Sequence, residues 1–484
     1  MSMEAGLHGK ALLGRGDAQQ PKTGIVHLGP GAFFRAFNAV YTQEAMQAKG
    51  GDWGICAVSL RSPDIRDKLA PQGFAYTSVT LAPKGAENAV ISVITDVLVA
   101  PENPAQVLAA MAGPGIRIVS MTITEKGYCH SPATGELRLD HPDIMHDLAH
   151  PDAPRSAPGF LVRALAARRA KGVAPFTVLS CDNLPDNGRL TRRVVLAFAQ
   201  AADPELAAWI AAECRFPATM VDRITPATTA ADIAALAQSA GYIDRACVMY
   251  EPFRQWVIED DFVGAARPYW EAGGAQFVRD VAAFETMKLR CLNGTHSTLA
   301  YLGYLAGYET IAETVADPAF ARLIERLWET EIVPTVPPPE GEDLPAYCAA
   351  LLARYRNPSI RHRTWQIAMD GSQKLPQRLL STVADNLRAG RPVPLLALAV
   401  AGWMRYVGGM DEMGRAIDVK DPMAERLRAA SDSGSTAEEK VAALLALRDV
   451  FEPALADDLR FSTAVVAAYV ALVANGARAV VAAA

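Results

Sequence analysis

A lysine, an asparagine and a histidine lie close together in the stretch Lys288-Leu-Arg-Cys-Leu-Asn293-Gly-Thr-His296. If residues 285–298 form one α-helix, the three side chains fall within an arc of about 140°, at about 100° per residue. One helix face then presents an amine, an amide and an imidazole to the same ligand. Because Lys288 and His296 are roughly 12 Å apart along the axis, they are expected to contact different atoms of that ligand.

These residue types suit the interconversion of a ketone and a secondary alcohol. Reduction needs a proton donor at the carbonyl oxygen and fixed hydrogen-bond donors for the charge that develops there. Lys288 can donate the proton if burial lowers its pKa, and Asn293 can stabilise the charge. Glu285 either carries protons between Lys288 and water or forms an ion pair with that lysine. For His296, spacing alone favours a packing or capping role.

Two other catalytic arrangements are disfavoured by the sequence. No lysine is preceded by tyrosine at four residues, as the Tyr-x-x-x-Lys chemistry of short-chain dehydrogenases requires. The seven cysteines are scattered and include no C-x-x-C pair, so zinc-ligand spacing is absent. The histidines at His141, His146 and His150 are better explained by a solvated loop and helix surface than by metal binding. We therefore predict no metal site.

A glycine-rich turn near the N-terminus has the position of a dinucleotide-binding motif. It follows the apolar stretch Gly24–Leu28 and precedes an amphipathic helical pattern. Glycines there permit a tight turn and close approach of a pyrophosphate, whose charge a helix N-terminus favours. Phe34 replaces the third glycine of the usual motif. The predicted cofactor-binding residues of this turn are Gly29, Gly31, Ala32, Phe33 and Arg35.

The end of the second expected strand bears on the cofactor's ribose. An acidic residue usually binds the ribose hydroxyls at this position, but the stretch 58–64 offers Arg61 early and Asp64 late. Arg61 could instead bind a 2′-phosphate. We predict NAD as the cofactor and leave NADP open.

Composition narrows the class of protein. The chain has 484 residues, 50% of them hydrophobic and 21% charged, with a net charge of −6, which is typical of a globular protein with a large core. It has no basic run that would bind nucleic acid or an anionic membrane. Residues 1–20 lack a signal-peptide pattern, and no apolar run has the length of a spanning helix, so we expect a cytoplasmic location.

The pattern of apolar residues changes near residue 284. Before it, short strand-like runs alternate with helical patterns, which indicates an α/β fold with a mostly parallel sheet. After it, long Ala/Leu-rich stretches with helical spacing continue to the end. We expect a dinucleotide-binding domain over residues 1–283 and a mainly helical substrate and catalytic domain over residues 284–484. The predicted strands are Gly24–Leu28, Trp53–Ser59, Ile91–Val99, Ile116–Thr124, Phe176–Asp182 and Ala246–Glu251.

Several of these stretches resemble those of the polyol-specific long-chain dehydrogenases, the mannitol 2-dehydrogenase family. The resemblance extends over roughly residues 24–483 and implies a Rossmann-like dinucleotide-binding domain followed by a mainly α-helical domain, without a metal. Phe34 departs from the family, which usually has histidine there. The stretches that carry the resemblance are Gly24–Ala36, Thr124–Tyr128, Ser180–Asn183, Val221–Pro226 and Lys288–His296.

The resemblance also implies roles for individual residues. Lys288 corresponds to the general acid/base of the family, and Asn183 and Asn293 to the asparagines that polarise the carbonyl. His296 is implied to position the substrate, and Glu285 to lie on the proton path. Two further residues are expected to hold substrate hydroxyls or a carboxylate, namely Asp222 and Lys374.

The stretches Glu251–Glu259 and His362–Pro376 resemble the branch of the family that reduces D-fructuronate to D-mannonate. A hexuronate carries a carboxylate, so a second cation besides Lys288 is expected to face the substrate. Arg254 and Lys374 are the candidates, although Arg254 could instead form a salt bridge with Glu251 or Glu259. The expected ligand is a small sugar acid.

Two alternatives stay open on the sequence. One is a polyol or altronate-type dehydrogenase that acts on a neutral or differently configured sugar. The other is a protein that senses nucleotides without catalysis, against which the complete set of Lys288, Asn183 and Asn293 argues. For the quaternary structure we expect a monomer or a weak homo-oligomer.

Overall fold

A computed structural model of the chain describes residues 9–132 and 134–484. Residues 1–8, which belong to the N-terminal stretch searched for a signal peptide, lie outside the described residues, as does Ala133. The chain forms two compact units, Met1–Ala282 and Ala283–Ala484. The predicted change from an α/β first part to a mainly helical second part is confirmed.

The first unit is built on a five-stranded parallel sheet of order β5-β2-β1-β6-β7. In β1 and β2, every residue except one at an end of the strand is buried. Such burial is expected of parallel strands that are covered on both faces, and it explains their continuous apolar sequences. The strand order reverses at β1, which has β2 on one side and β6 on the other. Its strands are β1 (Thr23–Leu28), β2 (Gly54–Ser59), β5 (Ile94–Val99), β6 (Ile118–Met121) and β7 (Thr177–Ser180).

Two three-stranded sheets complete the first unit, with orders β4-β3-β9 and β11-β10-β8. In both, one pair is antiparallel and the other parallel. The six strands are β3 (Tyr76–Ala82), β4 (Gly85–Ile91), β8 (Thr219–Asp222), β9 (Val248–Tyr250), β10 (Gln255–Glu259) and β11 (Gln276–Val278).

Most of these six strands were not predicted. The prediction of a single strand over Ile91–Val99 is wrong, because this run contains the last residue of β4 and all of β5. The run Ala246–Glu251 does contain a strand, but β9 pairs with β3 and not with the five-stranded sheet. The helices of the first unit are α1 (Ala32–Ala36), α2 (Asn38–Lys49), α3 (Asp64–Leu69), α4 (Pro104–Met111), α5 (Pro142–Ala149), α6 (Ala157–Ala170), α7 (Asn187–Ala202), α8 (Pro204–Glu213) and α9 (Ala230–Ala240).

The second unit is helical wherever it has regular structure among the residues described. Its centre is α11, and residues 291–300 leading into and along this helix are all buried. The helices are α10 (Ala282–Met287), α11 (Thr295–Leu305), α12 (Ile311–Ala316), α13 (Pro318–Leu327), α14 (Leu344–Tyr355), α15 (Thr364–Ala368), α16 (Gly371–Leu375), α17 (Ser381–Arg388), α18 (Pro394–Val407), α19 (Ala424–Ser433), α20 (Ala437–Leu445), α21 (Pro453–Ala456), α22 (Leu459–Asn475) and α23 (Ala477–Ala483).

Three π-helical segments interrupt this α-helical pattern at Lys288–Gly294, Trp328–Ile332 and Pro376–Leu380. Hydrogen bonds run from residue i to i+5 in a π-helix, and such segments occur frequently at functional sites. Within the described part of the chain, no helix combines the length and apolar character needed to cross a bilayer.

Glu331, in the second π segment, makes the stability of the helical unit dependent on pH. Its carboxylate accepts hydrogen bonds of 2.8 Å from the backbone N–H groups of Leu395 and Leu396, at the start of α18. Burial nevertheless raises the pKa of Glu331 from 4.5 to about 7. The native state therefore binds this proton more tightly than the unfolded chain does, so stability is lost as the pH rises from below 4.5 through 7.

Replacing Glu331 by glutamine removes this titration. As the pH rises from 5 to 8, wild type is expected to lose about 2 kcal/mol in free energy of unfolding through Glu331, and the Glu331→Gln variant is expected not to show this loss. Urea unfolding of both proteins at the two pH values measures the change. A wild-type-to-variant difference that does not vary with pH would contradict the expectation.

Candidate active site

The glycine-rich turn follows β1 at the carboxyl edge of the five-stranded sheet. Gly29 has φ +92°, and a Cβ there would lie 2.2 Å from the carbonyl oxygen of Thr122. The backbone N–H of Gly29 donates to Val58 O at 2.9 Å, so the turn is tied to β2 as well. Gly31 has ordinary φ, and the nearest atom to a Cβ there is 4.0 Å away. Only the first glycine is therefore required by the protein's own backbone.

The helix after the turn differs from the prediction. The prediction of a single amphipathic helix is wrong. The helix α1 has only five residues, Phe37 leaves the helical conformation (φ −131°, ψ −83°), and α2 begins at Asn38. Phe34 is completely buried and stacks on the His27 ring at 3.8 Å between centroids. The residue that replaces the family's usual histidine thus packs against β1, below the turn.

The other predicted residues of the turn differ in exposure. Arg35 is 8% exposed, and its Nη1 donates to the carbonyl oxygen of Pro30 at 2.6 Å. Its guanidinium therefore braces the turn from inside the protein. Ala32 and Phe33 are half-buried, and the Phe33 ring stacks on Phe37 at 4.9 Å.

A cavity of about 580 Å³ lies at the carboxyl ends of β2, β5 and β6. Its lining includes three cations, Arg61, Lys126 and Arg155, and one carboxylate, Asp143. Ligands of open parallel sheets bind at this edge, next to the strand where the order reverses. The turn at Gly29 thus has the position of a pyrophosphate-binding loop, and the positive charge of the cavity leaves a cofactor with a 2′-phosphate open.

Asn183 follows β7 at the same edge of the sheet, and its position depends on Asp182. The Asp182 carboxylate accepts hydrogen bonds from the backbone N–H groups of Ile123 and Thr124, at 3.1 and 2.8 Å. It also accepts one from the Tyr128 hydroxyl, at 2.8 Å. Asp182 thereby joins the loops after β6 and β7, and Asn183 emerges exposed from the second of them. Neither Asp182 nor Tyr128 was predicted as a positioning residue.

The two candidate substrate residues of the first unit have different surroundings. Asp222, 5% exposed, ends β8 opposite Gln255. The Arg254 guanidinium forms two hydrogen bonds with the Glu44 carboxylate, at 2.9 and 2.6 Å, and lies over the Tyr41 ring at 4.4 Å. The predicted salt-bridge alternative for Arg254 is thus realised with a different glutamate, and its charge is already neutralised within the first unit.

The structure does not form the predicted continuous α-helix over residues 285–298, because Lys288–Gly294 is π-helical. An i to i+5 pattern places residue i+5 above residue i, and Lys288 and Asn293 are five residues apart. Their side chains therefore align more closely along the helix than the 140° arc implies. Both residues are 8% exposed, so the amine and the amide are largely removed from water. Glu285, in α10, is half-buried.

Side chains from distant helices hold the π segment by binding its carbonyl groups. The carbonyl of Cys291 accepts from the Trp328 indole N–H at 2.8 Å and from Thr295 Oγ1 at 2.6 Å. The carbonyl of Leu292 accepts from the Tyr355 hydroxyl at 2.9 Å. Carbonyls that lose regular α-helical partners need such replacements when buried. Trp328 and Tyr355 are thus positioning residues for Lys288 and Asn293.

His296 lies at the start of α11 and is 6% exposed. Its ring stacks on Tyr355 at 5.4 Å and meets His362 edge to face at 4.8 Å. Burial, reinforced by positive charges nearby, holds the pKa of His296 well below its usual value, so the imidazole is neutral. Its Nε2 atom is buried without a hydrogen-bond partner among the described residues. The predicted packing role therefore accounts for the ring faces but not for Nε2.

Lys374 lies in α16, where the sequence predicted a substrate residue. Its Nζ donates to the carbonyl oxygen of Met369 at 2.5 Å and lies 3.8 Å from the Asp370 carboxylate. Burial lowers the pKa of Lys374, and the Arg378 charge lowers it further. Arg378, one turn later, was not predicted as a site residue.

No metal centre accompanies these groups in the described residues, since no three His, Cys, Asp or Glu side chains are arranged to hold an ion. The His146 and His150 rings stack on each other at 4.5 Å, and His146 Nδ1 lies 3.1 Å from Asp147. These contacts account for the two histidines by packing and hydrogen bonding.

Two family models match the chain. That of the mannitol dehydrogenase Rossmann domain matches residues 23–272, and that of the mannitol dehydrogenase C-terminal domain matches residues 280–473. D-mannonate oxidoreductase of Escherichia coli K12 is 50% identical over 96% of each chain. Mannitol 2-dehydrogenase of Phaeosphaeria nodorum is 42% identical over 95% of this chain and 81% of the relative.

Solved structures agree with these relatives. Mannitol 2-dehydrogenase of Pseudomonas fluorescens, in a ternary complex with NAD and D-mannitol, is 40% identical with a TM-score of 0.85 over 99% of this chain and 97% of that one. A substrate-free D-sorbitol dehydrogenase is 32% identical with a TM-score of 0.87 over 98% of each chain. The predicted resemblance is confirmed, and the chain belongs to the mannitol dehydrogenase family of oxidoreductases.

Proposed function

We propose that this protein reversibly reduces D-fructuronate to D-mannonate with NADH, and that Lys288 is the general acid/base. The observation that carries the proposal is the π segment, which buries Lys288 and Asn293 and aligns them five residues apart. The 50% identity with D-mannonate oxidoreductase of E. coli supports the choice of substrate. The Pseudomonas relative with bound NAD supports the choice of cofactor.

The proposed mechanism assigns one step to each group. When bound, NADH would supply a hydride to the ketone carbon. The Lys288 ammonium donates its proton to the carbonyl oxygen during reduction, and the amine takes it back during oxidation. The amide N–H group of Asn293 donates a hydrogen bond to the same oxygen and stabilises the charge that develops on it. For Asn183 we keep the carbonyl-polarising role as a prediction. Glu285 returns a proton from water to Lys288.

The remaining predicted residues hold the substrate. A neutral His296 can donate or accept a hydrogen bond, which suits a sugar hydroxyl. For Asp222 and Lys374 we keep the predicted role in substrate binding, since a carboxylate accepts hydrogen bonds from sugar hydroxyls and an ammonium donates them. Such contacts fix the ketone relative to Lys288, and correct orientation contributes a large part of catalytic rate enhancement.

A steady-state assay separates this function from its alternative, a polyol or altronate-type dehydrogenase. D-fructuronate, D-tagaturonate and D-fructose are each reduced with NADH and with NADPH, and kcat/KM is compared. The highest value is expected for D-fructuronate with NADH, since a carboxylate adds a charged contact that D-fructose lacks. A clear preference for D-fructose or D-tagaturonate would replace the proposed substrate. Equal rates with NADPH would assign a 2′-phosphate contact to Arg61, and failure with all three would favour a non-catalytic nucleotide sensor.

A further inference from the structure

We propose that Arg378 binds the carboxylate of the sugar acid and thereby selects acids over neutral sugars. The inference rests on the proposed function for the class of substrate. Arg378 lies in the third π segment, Pro376–Leu380, which begins at the last residue of the stretch His362–Pro376.

Arg378 is half-buried, and this burial lowers its pKa. Its Nη1 donates to Ser297 Oγ at 3.1 Å. Among the described residues, the groups whose charge acts on the Arg378 pKa are two tyrosines and no carboxylate. A guanidinium has five N–H donors in a fixed planar fork. Removing a charge from water is unfavourable unless an opposite charge compensates it. The unused donors of Arg378 therefore suit a carboxylate supplied by a ligand.

The two cations predicted to bind the carboxylate are already compensated. Arg254 forms its two hydrogen bonds with Glu44. Lys374 is bound to the Met369 carbonyl oxygen and lies close to Asp370. Arg378 differs from both, because its side-chain hydrogen-bond partner among the described residues is a neutral hydroxyl, that of Ser297. A planar guanidinium also matches the two oxygens of a carboxylate better than an ammonium does.

Arg378 adjoins the segment that carries Lys288 and Asn293. A Cβ at Gly294 would lie 2.7 Å from the Arg378 carbonyl oxygen, so the backbones of the two π segments touch there. Ser297, which receives the Arg378 hydrogen bond, is the residue after His296. The positive charge of Arg378 also contributes to the lowered pKa of His296.

Two buried imidazole atoms beside Arg378 lack partners in the described chain, His296 Nε2 and His362 Nδ1. Burial lowers the pKa of His362 to about 4, so this ring is neutral as well. Buried polar atoms are rarely left unsatisfied in native proteins. A ligand with one carboxylate and adjacent hydroxyls satisfies the guanidinium and both rings, as a sugar acid does.

The test compares an acid with a neutral sugar in two variants of Arg378. For Arg378→Met, kcat/KM for D-fructuronate is expected to fall at least about 30-fold, the scale of a lost charged hydrogen bond, while kcat/KM for D-fructose is retained. Arg378→Lys, which keeps the charge without the fork, should lie between wild type and Arg378→Met. Arg388→Met is the control, because Arg388 is 75% exposed and paired with Asp385. That variant should match wild type on both substrates.

Equal losses on both substrates in Arg378→Met and Arg378→Lys would overturn the inference, as would unchanged activity on D-fructuronate. Binding of D-mannonate and of D-mannitol is measured as the shift in thermal unfolding temperature. This measurement tests the carboxylate site separately from the proposed reaction. Suppose that wild type does not reduce D-fructuronate, and that D-mannonate stabilises wild type but not the Arg378→Met variant. The carboxylate site is then supported, and the proposed reaction is refuted. Equal stabilisation of wild type and both Arg378 variants by D-mannonate would refute the site whatever the reaction. If Arg378→Met does not fold, the same comparison is made on Arg378→Lys.

Discussion

Replacing Lys288 by alanine is expected to lower kcat for D-fructuronate reduction by at least about 100-fold, the scale of general acid catalysis. Lys288 is 8% exposed and lies in a π segment fixed by side chains of other helices. Water is therefore a poor replacement for the ammonium at that point. The cofactor turn is formed by other residues, from Gly29 to Arg35, so we expect the affinity for NADH to change little.

A volume-matched variant separates chemistry from packing. Lys288→Met keeps a long side chain in the buried position but cannot donate a proton, so its kcat should fall as far as that of Lys288→Ala. Fluorescence titration with NADH and thermal unfolding provide the controls for cofactor binding and folding. Near-normal turnover in either variant would refute the role of Lys288 as acid/base. A loss in Lys288→Ala alone would assign the residue to packing.

Four strands of the five-stranded sheet, β1, β2, β6 and β7, were recognisable from sequence because they are buried on both faces. Other strands lack such a signal for physical reasons. In β4, six of seven residues are exposed, so its sequence Gly-Ala-Glu-Asn-Ala-Val-Ile shows no buried run. β11 has only three residues, all of them half-buried, so its sequence Gln-Phe-Val shows neither a buried run nor a long alternating pattern.

The residue types of the candidate site were predictable, but their geometry was not. Spacing at 100° per residue assumes an α-helix throughout, whereas the π segment depends on Trp328 and Tyr355, whose partners are 37 and 63 residues away in sequence. A local pattern cannot contain that information. The same holds for cations, because only the fold shows that Arg254 is paired with Glu44 while Arg378 has no such partner.

The two glycines of the cofactor turn are expected to fail in different ways when each is replaced by alanine. Gly29→Ala forces a side chain into the left-handed region at φ +92°, with its Cβ 2.2 Å from the Thr122 carbonyl oxygen. The left-handed backbone alone costs about 1–2 kcal/mol for an L-residue, and the contact requires the backbone to move. We expect a loss of at least about 2 kcal/mol in stability without any cofactor, and weak NADH binding as a consequence.

Gly31→Ala is the matched comparison, since its φ is −67° and no atom lies closer than 4.0 Å to the new methyl group. Without cofactor its thermal unfolding should match wild type. The second glycine of such a turn serves the close approach of the pyrophosphate, so a methyl group there should raise the Kd for NADH by about 10-fold or more, a cost of about 1.4 kcal/mol. Thermal unfolding without cofactor and NADH titration of both variants measure the two effects separately. Equal destabilisation of the cofactor-free variants would contradict this division, because it would mean that both glycines serve the protein's own backbone.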